Sequence, residues 1–180
     1  MEKILISIIS TNQVHLVEKL CADLLKNKIK FKIVVTLNGK NENVGTLSKF
    51  KKNLNINFIK NRDIKGFAYN HNKVFKMYKS KFFLILNPDL RIKTIDLDIL
   101  KKNLISNSSI KLISPQIFDG KISNYYNYRK FPRLITPLIR LLIVNRPFEY
   151  TLKKITNYVD WISGAFMFID SIFLKKNRLF

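Results

Sequence analysis

The residues best placed to do chemistry stand at the end of an apolar run. Phe82-Phe83-Leu84-Ile85-Leu86 is followed at once by an amide, a proline and a carboxylate, Asn87-Pro88-Asp89. A wholly apolar run of this length, bounded by turn residues, reads as a strand buried on both faces, as in a parallel sheet under helices. Ligands of open α/β sheets bind just beyond the carboxyl ends of such strands, so Asp89 stands where a site is expected. A second group is Lys65-Gly66-Phe67-Ala68-Tyr69-Asn70-His71-Asn72. There a Lys-Gly turn feeds a helix, and the free N–H groups of a helix N-terminus beside a lysine attract phosphate. Two readings of its polar residues stand side by side. Phe67, His71, Val74 and Tyr78 share one helical face, so His71 is either packed and hydrogen-bonded in the core or close to a ligand. Asn70 and Asn72 are either site residues or ordinary caps and turn residues. A third group is Trp161-Ile162-Ser163-Gly164-Ala165, in which the only tryptophan precedes small residues and an apolar strand. Small residues at such a point either admit a backbone or ligand closely, or pack a glycine under an aromatic ring.

The elements that must position these groups alternate. Lys3 to Ser10 is a strand rich in Ile, ending in the polar turn Ser10-Thr11-Asn12-Gln13. Val14, Val17, Cys21 and Leu24, reinforced by Leu16, Leu20 and Leu25, recur at helical spacing, and Cys21 reads as a small buried apolar residue of that helix. Phe31 to Leu37 is a second strand closed by Asn38-Gly39, Lys40 to Asn53 a polar connection with some helical character, and Ile56 to Ile59 a short third strand. This β-α-β-α-β order opens a doubly wound sheet. Beyond Asp89, Thr94 is placed to cap a helix carrying Leu97, Leu100 and Leu104, and Ile110 to Ile113 is a further strand ending at Pro115. Gly120 to Lys130, rich in Tyr, Asn and basic residues, reads as a surface loop. Phe131 to Val144 has a basic lead-in and a dense Leu/Ile face. It is either a helix packed on the domain or one lying in a membrane interface with its cations toward the headgroups. No internal repeat or Gly/Ser/Pro linker marks a domain boundary.

The chain of 180 residues is long enough for one domain with a real core, and at 47% apolar and 25% charged residues it is globular. Its 33 Lys and Arg against 12 Asp and Glu give a formal charge of +21. That excess implies an anionic partner: nucleic acid, an anionic membrane surface or a phosphorylated substrate. The abundance of Lys, Asn and Ile also fits coding by AT-rich DNA. A single cysteine excludes an internal disulfide and a Cys metal cluster. The apolar stretch after Met1 is too short for a signal peptide, and no run reaches the length of a membrane span. The expected location is the cytoplasm, peripheral on the inner face of the membrane.

Taken together, five stretches resemble family 2 glycosyltransferases, and among them the bacterial rhamnosyltransferase-like members. They are Ile6 to Gln13, Val34 to Asn38, Lys65 to Asn72, Leu86 to Asp89 and Asp160 to Ala165, in the family's order and spacing. The resemblance implies an α/β fold of the GT-A (Rossmann-like) type, with a mostly parallel central sheet and helices on both faces. It implies a single domain, with a nucleotide-sugar-binding half at 1–115 and the start of an acceptor half at 116–180, incomplete at the C-terminus. The implied reaction is inverting transfer of a sugar from a nucleotide donor, dTDP- or UDP-linked, to a polysaccharide or lipid-linked glycan of the cell envelope. Asn87-Pro88-Asp89 resembles the family's metal-binding acidic turn, with Asn87 in place of the first aspartate and Asp89 as the ligand of Mg²⁺ or Mn²⁺. A carboxylate-held cation would neutralise a diphosphate leaving group, and Mg²⁺ takes only one or two protein carboxylates beside phosphate oxygens and water. By the same resemblance Ser10, Thr11, Asn12 and Asn38 line the base and ribose pocket. Lys65, Gly66, Asn70, His71, Asn72 and Asn87 join them in shaping the sugar-nucleotide site. Arg129, Trp161 and Gly164 border the acceptor. Leu37 stands where the family commonly has a nucleotide-holding Asp. An inverting enzyme needs a carboxylate general base. Arg178-Leu179-Phe180 resembles the start of the turn that precedes it, so the base is expected beyond Phe180 and no catalytic residue is assigned within the chain.

Two other classes compete. A nucleic-acid-binding protein would suit the charge, but the basic residues are scattered and no recognition motif accompanies them. A non-catalytic, membrane-associated protein would keep the fold without the chemistry.

Overall fold

In a computed structural model of the protein the described residues are 4–26, 30–92, 97–118, 127–131, 157–177 and 180. Lys3, Thr94, Arg178, Leu179, most of the 120–130 stretch and nearly all of the 131–144 segment fall outside them. In chain order the described strands are β1 (Ile4–Ser10), β2 (Lys32–Leu37), β3 (Asn55–Lys60), β4 (Phe82–Leu86), β5 (Leu112–Ile113), β6 (Tyr128–Arg129), β7 (Trp161–Ile162) and β8 (Phe166–Asp170). The described helices are α1 (Val14–Leu24), α2 (Phe67–Met77), α3 (Leu97–Ser106) and α4 (Ser171–Lys176), with a 3₁₀ helix at Gly45–Lys52. The chain divides into two compact units, Met1–Ile113 with Gly164–Phe180, and Ser114–Ser163.

The first unit is built on a six-stranded sheet in the order β3-β2-β1-β4-β8-β5. β1 pairs in parallel with β2 and β4, and β2 with β3. β8 runs antiparallel to both β4 and β5. The apolar composition of β1, β2 and β4 follows from this position, because a central parallel strand has no wet face. On one face Leu5, Val34, Phe83, Ile85 and Ile169 pack against Val74 and Phe75 of α2 and Leu174 of α4. Side chains alternate along a strand, so Ile4, Ile6 and Ile8 point to the opposite face, where they are equally buried. α1 packs on β1 and contributes buried Val17, Leu20, Cys21 and Leu24. Burial pushes the Cys21 thiol up to about 12, leaving it protonated and inert.

The mixed, mostly parallel α/β architecture agrees with the sequence pattern, and so do the main elements within a residue or two. One reading changes. Within the expected 120–130 loop, Tyr128–Arg129 forms β6, a two-residue antiparallel partner of β7, too short for any periodicity to reveal. The first compact unit is not one continuous stretch of the chain. The chain leaves it after Ile113 but returns at Gly164, because β8 completes the sheet between β4 and β5.

Candidate functional site

The strand order reverses direction at β1, whose neighbours are β2 on one side and β4 on the other. Such a switch point leaves a crevice at the carboxyl ends of the strands, because the two connections leave the sheet in opposite directions. A cleft of about 220 Å³ lies there. Ile9, Thr11 and Gln13 line it from the end of β1, and Asn38 from the end of β2. Lys65, Phe67 and Asn70 come from the start of α2, and Asn87, Pro88 and Asp89 from the end of β4.

Each wall has a local cause. After β4 the Leu90 N–H donates to the Asn87 carbonyl at 3.3 Å, closing a turn with proline in its second position, where a fixed φ is pre-set for turning. The Asn87 N–H donates to the Ala165 carbonyl at 2.9 Å, tying the turn to the approach of β8. Pro88 is buried and Asp89, at the third position, is exposed on the cleft. The Asp89 carboxylate makes no hydrogen bond or ion pair with another described residue. Among the described residues no cluster of three His, Cys, Asp or Glu is formed. A single carboxylate on this cleft, with no partner among the described residues, suits a hard divalent cation whose remaining positions are filled by ligand oxygens and water, and not a fully protein-caged metal.

Between β1 and β2 a buried carboxylate holds the loops in place. Glu42 lies at 5% exposure. One of its oxygens accepts from the Ser10 hydroxyl and, at 3.1 Å, from the Gln13 N–H. The other accepts from the Asn38 N–H at 3.0 Å and the Gly39 N–H at 2.7 Å. Strand ends leave backbone donors without ladder partners, and a carboxylate is the acceptor that satisfies several at once.

The α2 wall rests on three asparagines. Asn38 Nδ2 donates to Thr11 Oγ1 at 3.1 Å and to the Lys65 carbonyl at 3.0 Å. Its Oδ1 accepts from Asn61 Nδ2 and from the Lys65 N–H, both at 2.9 Å. Asn61 Nδ2 also donates to Asn70 Oδ1 at 2.6 Å, and Lys73 Nζ donates to Asn61 Oδ1 at 3.1 Å. Asn70 Nδ2 donates to the Lys65 and Gly66 carbonyls, each at 3.0 Å. The Thr11 oxygen accepts from Asn38, which leaves its hydroxyl hydrogen to point elsewhere. Gly66 is the N-cap of α2 and offers no side-chain cap.

Of the residues expected from the sequence, Thr11, Asn38, Lys65, Asn70, Asn87 and Asp89 therefore share one cleft. The others lie around it. Ser10 is fully buried on Glu42. Asn12, with φ 59°, is exposed in the turn after β1. Asn72 points away to Phe180: its Nδ2 donates to the Phe180 carbonyl at 3.1 Å, and its Oδ1 accepts the Phe180 N–H at 3.2 Å. His71 does not line the cleft. It is 1% exposed, its Nδ1 shares a 2.8 Å hydrogen bond with Ser7 Oγ in β1, and its ring stands edge-on to Phe67. Burial lowers its pKa to about 3, so the ring is neutral. Of its two open readings, the packed one describes this geometry. Gly164 packs on an aromatic ring, and that ring belongs to Phe67, whose Cζ would stand 2.8 Å from an added Cβ. In the second unit Arg129 lies over the Trp161 ring at 5.7 Å, across the β6–β7 pair. That unit is bound together by Asn127, which donates to Ser114 Oγ and the Pro115 carbonyl.

Sequence reasoning did not mark Glu42, Asn61 or Phe67 as site residues. A signal for Asn61 existed: an asparagine follows the last residue of β2, β3 and β4 alike, as Asn38, Asn61 and Asn87. In a chain crowded with asparagine that regularity is easily overlooked.

No protein-family model matches this sequence, and no curated protein matches it. Solved structures match its fold. TarS 1–349 of S. aureus in complex with UDP superposes with a TM-score of 0.67 at 16% identity, over 98% of this chain and 49% of that one. The same protein in complex with UDP-GlcNAc gives 0.64 at 16% identity, over 98% and 47%. The mannosyltransferase PcManGT from Pyrobaculum calidifontis, in complex with GDP-Man and Mn²⁺, gives 0.61 at 13% identity, over 99% and 47%. The chain spans about half the length of these structures. At such identities the likeness is one of fold: the chain shares the α/β architecture of these structures.

Proposed function

We propose that this chain forms the donor-binding part of a glycosyltransferase that uses a nucleotide-diphosphate sugar. The observation that carries this reading is the convergence of Thr11, Lys65, Asn87 and Asp89, from three separate stretches, on one cleft at the switch point of the sheet. The nucleotide complexes of the structural neighbours support the same ligand class. In this reading the Lys65 ammonium and the Thr11 hydroxyl face the anionic, acceptor-rich parts of the donor. Asp89 holds Mg²⁺ or Mn²⁺, with phosphate oxygens and water completing its shell. The bound cation would offset charge gathering on the diphosphate leaving group. The rest of the proposal follows the family resemblance. Transfer is inverting, to a polysaccharide or lipid-linked acceptor, with a deoxysugar such as rhamnose among the candidate donors. Arg129, Trp161 and Gly164 keep the acceptor role that the resemblance gives them, and the protein works as a peripheral protein on an anionic membrane.

The test is calorimetric titration with UDP-, dTDP- and GDP-sugars, with and without Mn²⁺ or Mg²⁺. Binding that requires the cation and falls about tenfold or more in Asp89→Ala is expected. Absence of nucleotide binding under every condition, or metal-dependent binding untouched by Asp89→Ala, would overturn the proposal.

A further inference from the structure

A side-chain amide has two N–H donors and a carbonyl with two lone pairs, so it can make four hydrogen bonds. Asn38 makes all four inside the protein, to Thr11, Asn61 and both backbone groups of Lys65. It grips Lys65 as a neighbouring strand would, through its N–H and its carbonyl together. The donors of Asn61 and Asn70 are equally committed. Both side chains are buried, Asn61 at 7% and Asn70 at 0% exposure. A ligand entering the cleft finds no free donor on any of the three.

From this saturation we infer that Asn38, Asn61 and Asn70 are positioning residues, which touch no part of a bound nucleotide and act on it by aiming the Lys65 side chain, whose backbone they hold. The inference rests on the nucleotide-sugar reading of the cleft and deepens it, since it divides the predicted ligand residues into those that touch and those that aim. Asn61 is the keystone. It joins the asparagine after β2 to the asparagine in α2, and its own carbonyl is held by Lys73. A buried polar network is rigid only when every member is satisfied. Removing the Asn61 donors leaves Asn38 and Asn70 facing an acceptor, and frees the segment that carries Lys65.

Asn61→Asp makes this separable from ordinary loss of stability. The variant keeps size and shape, exchanges both donors for acceptors, and gains a carboxylate beside Lys73 that compensates the fold. UDP, dTDP and GDP, each with Mn²⁺, would be titrated into wild type, Lys65→Ala, Asn61→Asp and the double variant. Thermal melting and hydrogen exchange over residues 61–70 would be followed in parallel. Asn61→Asp should melt close to wild type, exchange faster at Lys65 and its neighbours, and bind nucleotide about tenfold more weakly. The double variant should bind no more weakly than Lys65→Ala alone, because both changes act on the same contact. Asn38→Asp, which keeps both acceptor contacts and loses both donors, carries the same expectation if Asn61→Asp does not fold. Wild-type binding by folded Asn61→Asp, additive losses in the double variant, or unchanged exchange at Lys65 would each overturn the inference. Failure of wild type to bind any of the nucleotides would instead remove the nucleotide reading, and the exchange result would still decide whether Asn61 orders the segment.

Discussion

Burial holds the His71 imidazole neutral at a pKa of about 3, against an ordinary value of 6.5. The sign of its effect on stability follows from proton uptake. Below pH 6.5 the unfolded chain binds a proton that the folded chain excludes, so stability is full above that value and declines as pH falls toward 3. A single group of this kind removes at most about 1.4 kcal/mol per pH unit in that window. Melting temperatures between about pH 7 and about pH 4 should fall less steeply for His71→Asn than for wild type. Equal slopes would show that other groups control the acid limb. The residue also shows what a motif can conceal. Helical spacing puts His71 on the inner face of α2, and Asn70 beside it borders the cleft. Nothing local decides between core and ligand, since that depends on whether Ser7 of another strand stands within reach, as it does. Asp89 is the contrary case: the proline turn after a buried strand is itself enough to place a carboxylate at the strand's mouth.

At the scale of elements, the strands of the six-stranded sheet and α2 were legible because their causes are local: apolar runs, helical periodicity and punctuating Gly, Pro and Asn. What joins their ends was not. Glu42 satisfies donors from the β1 turn and the end of β2, yet it sits in a polar connection with no periodicity around it. Because both of its oxygens accept from N–H or O–H groups, even the isosteric Glu42→Gln places an NH₂ group against backbone donors. Glu42→Gln and Glu42→Ala are each expected to cost about 1–3 kcal/mol in denaturant unfolding, the penalty of buried donors left without an acceptor. A Gln variant as stable as wild type would mean that the turn rearranges freely. The bidentate pair from Arg91 to Asp23, with the Ile92 N–H on the same carboxylate, ties α1 to the stretch after β4 in a similar way. The neighbouring guanidinium keeps the Asp23 carboxyl below its usual range.

For the whole molecule the net charge of +21 remains the largest single fact of composition. If it serves a membrane surface, the protein should sediment with vesicles containing about a third anionic phospholipid at low salt, release as ionic strength rises, and ignore neutral vesicles. Absence of binding even at low salt would assign the charge to codon composition. Among the described residues no helix is long and apolar enough to cross a membrane. The same scale holds the clearest departure from the linear pattern. β8 follows the second unit in sequence but lies antiparallel between β4 and β5 in the first. Its approach supplies both the carbonyl that anchors the Asn87 turn and the glycine under Phe67.

By itself the sequence determined where strands end and which polar residues stand there, because burial of a parallel sheet demands apolar runs and turns demand their own residues. Tertiary structure decided which of those polar residues face the cleft and which face one another. Asn38 and Asn70 read in sequence as polar residues near a site, and Asn61 carried no such mark. In space their hydrogen-bonding capacity is spent across β2, β3 and α2, whereas the Asp89 carboxylate has no partner among the described residues. Capacity of that kind is settled by partners distant in the chain, which no local pattern encodes.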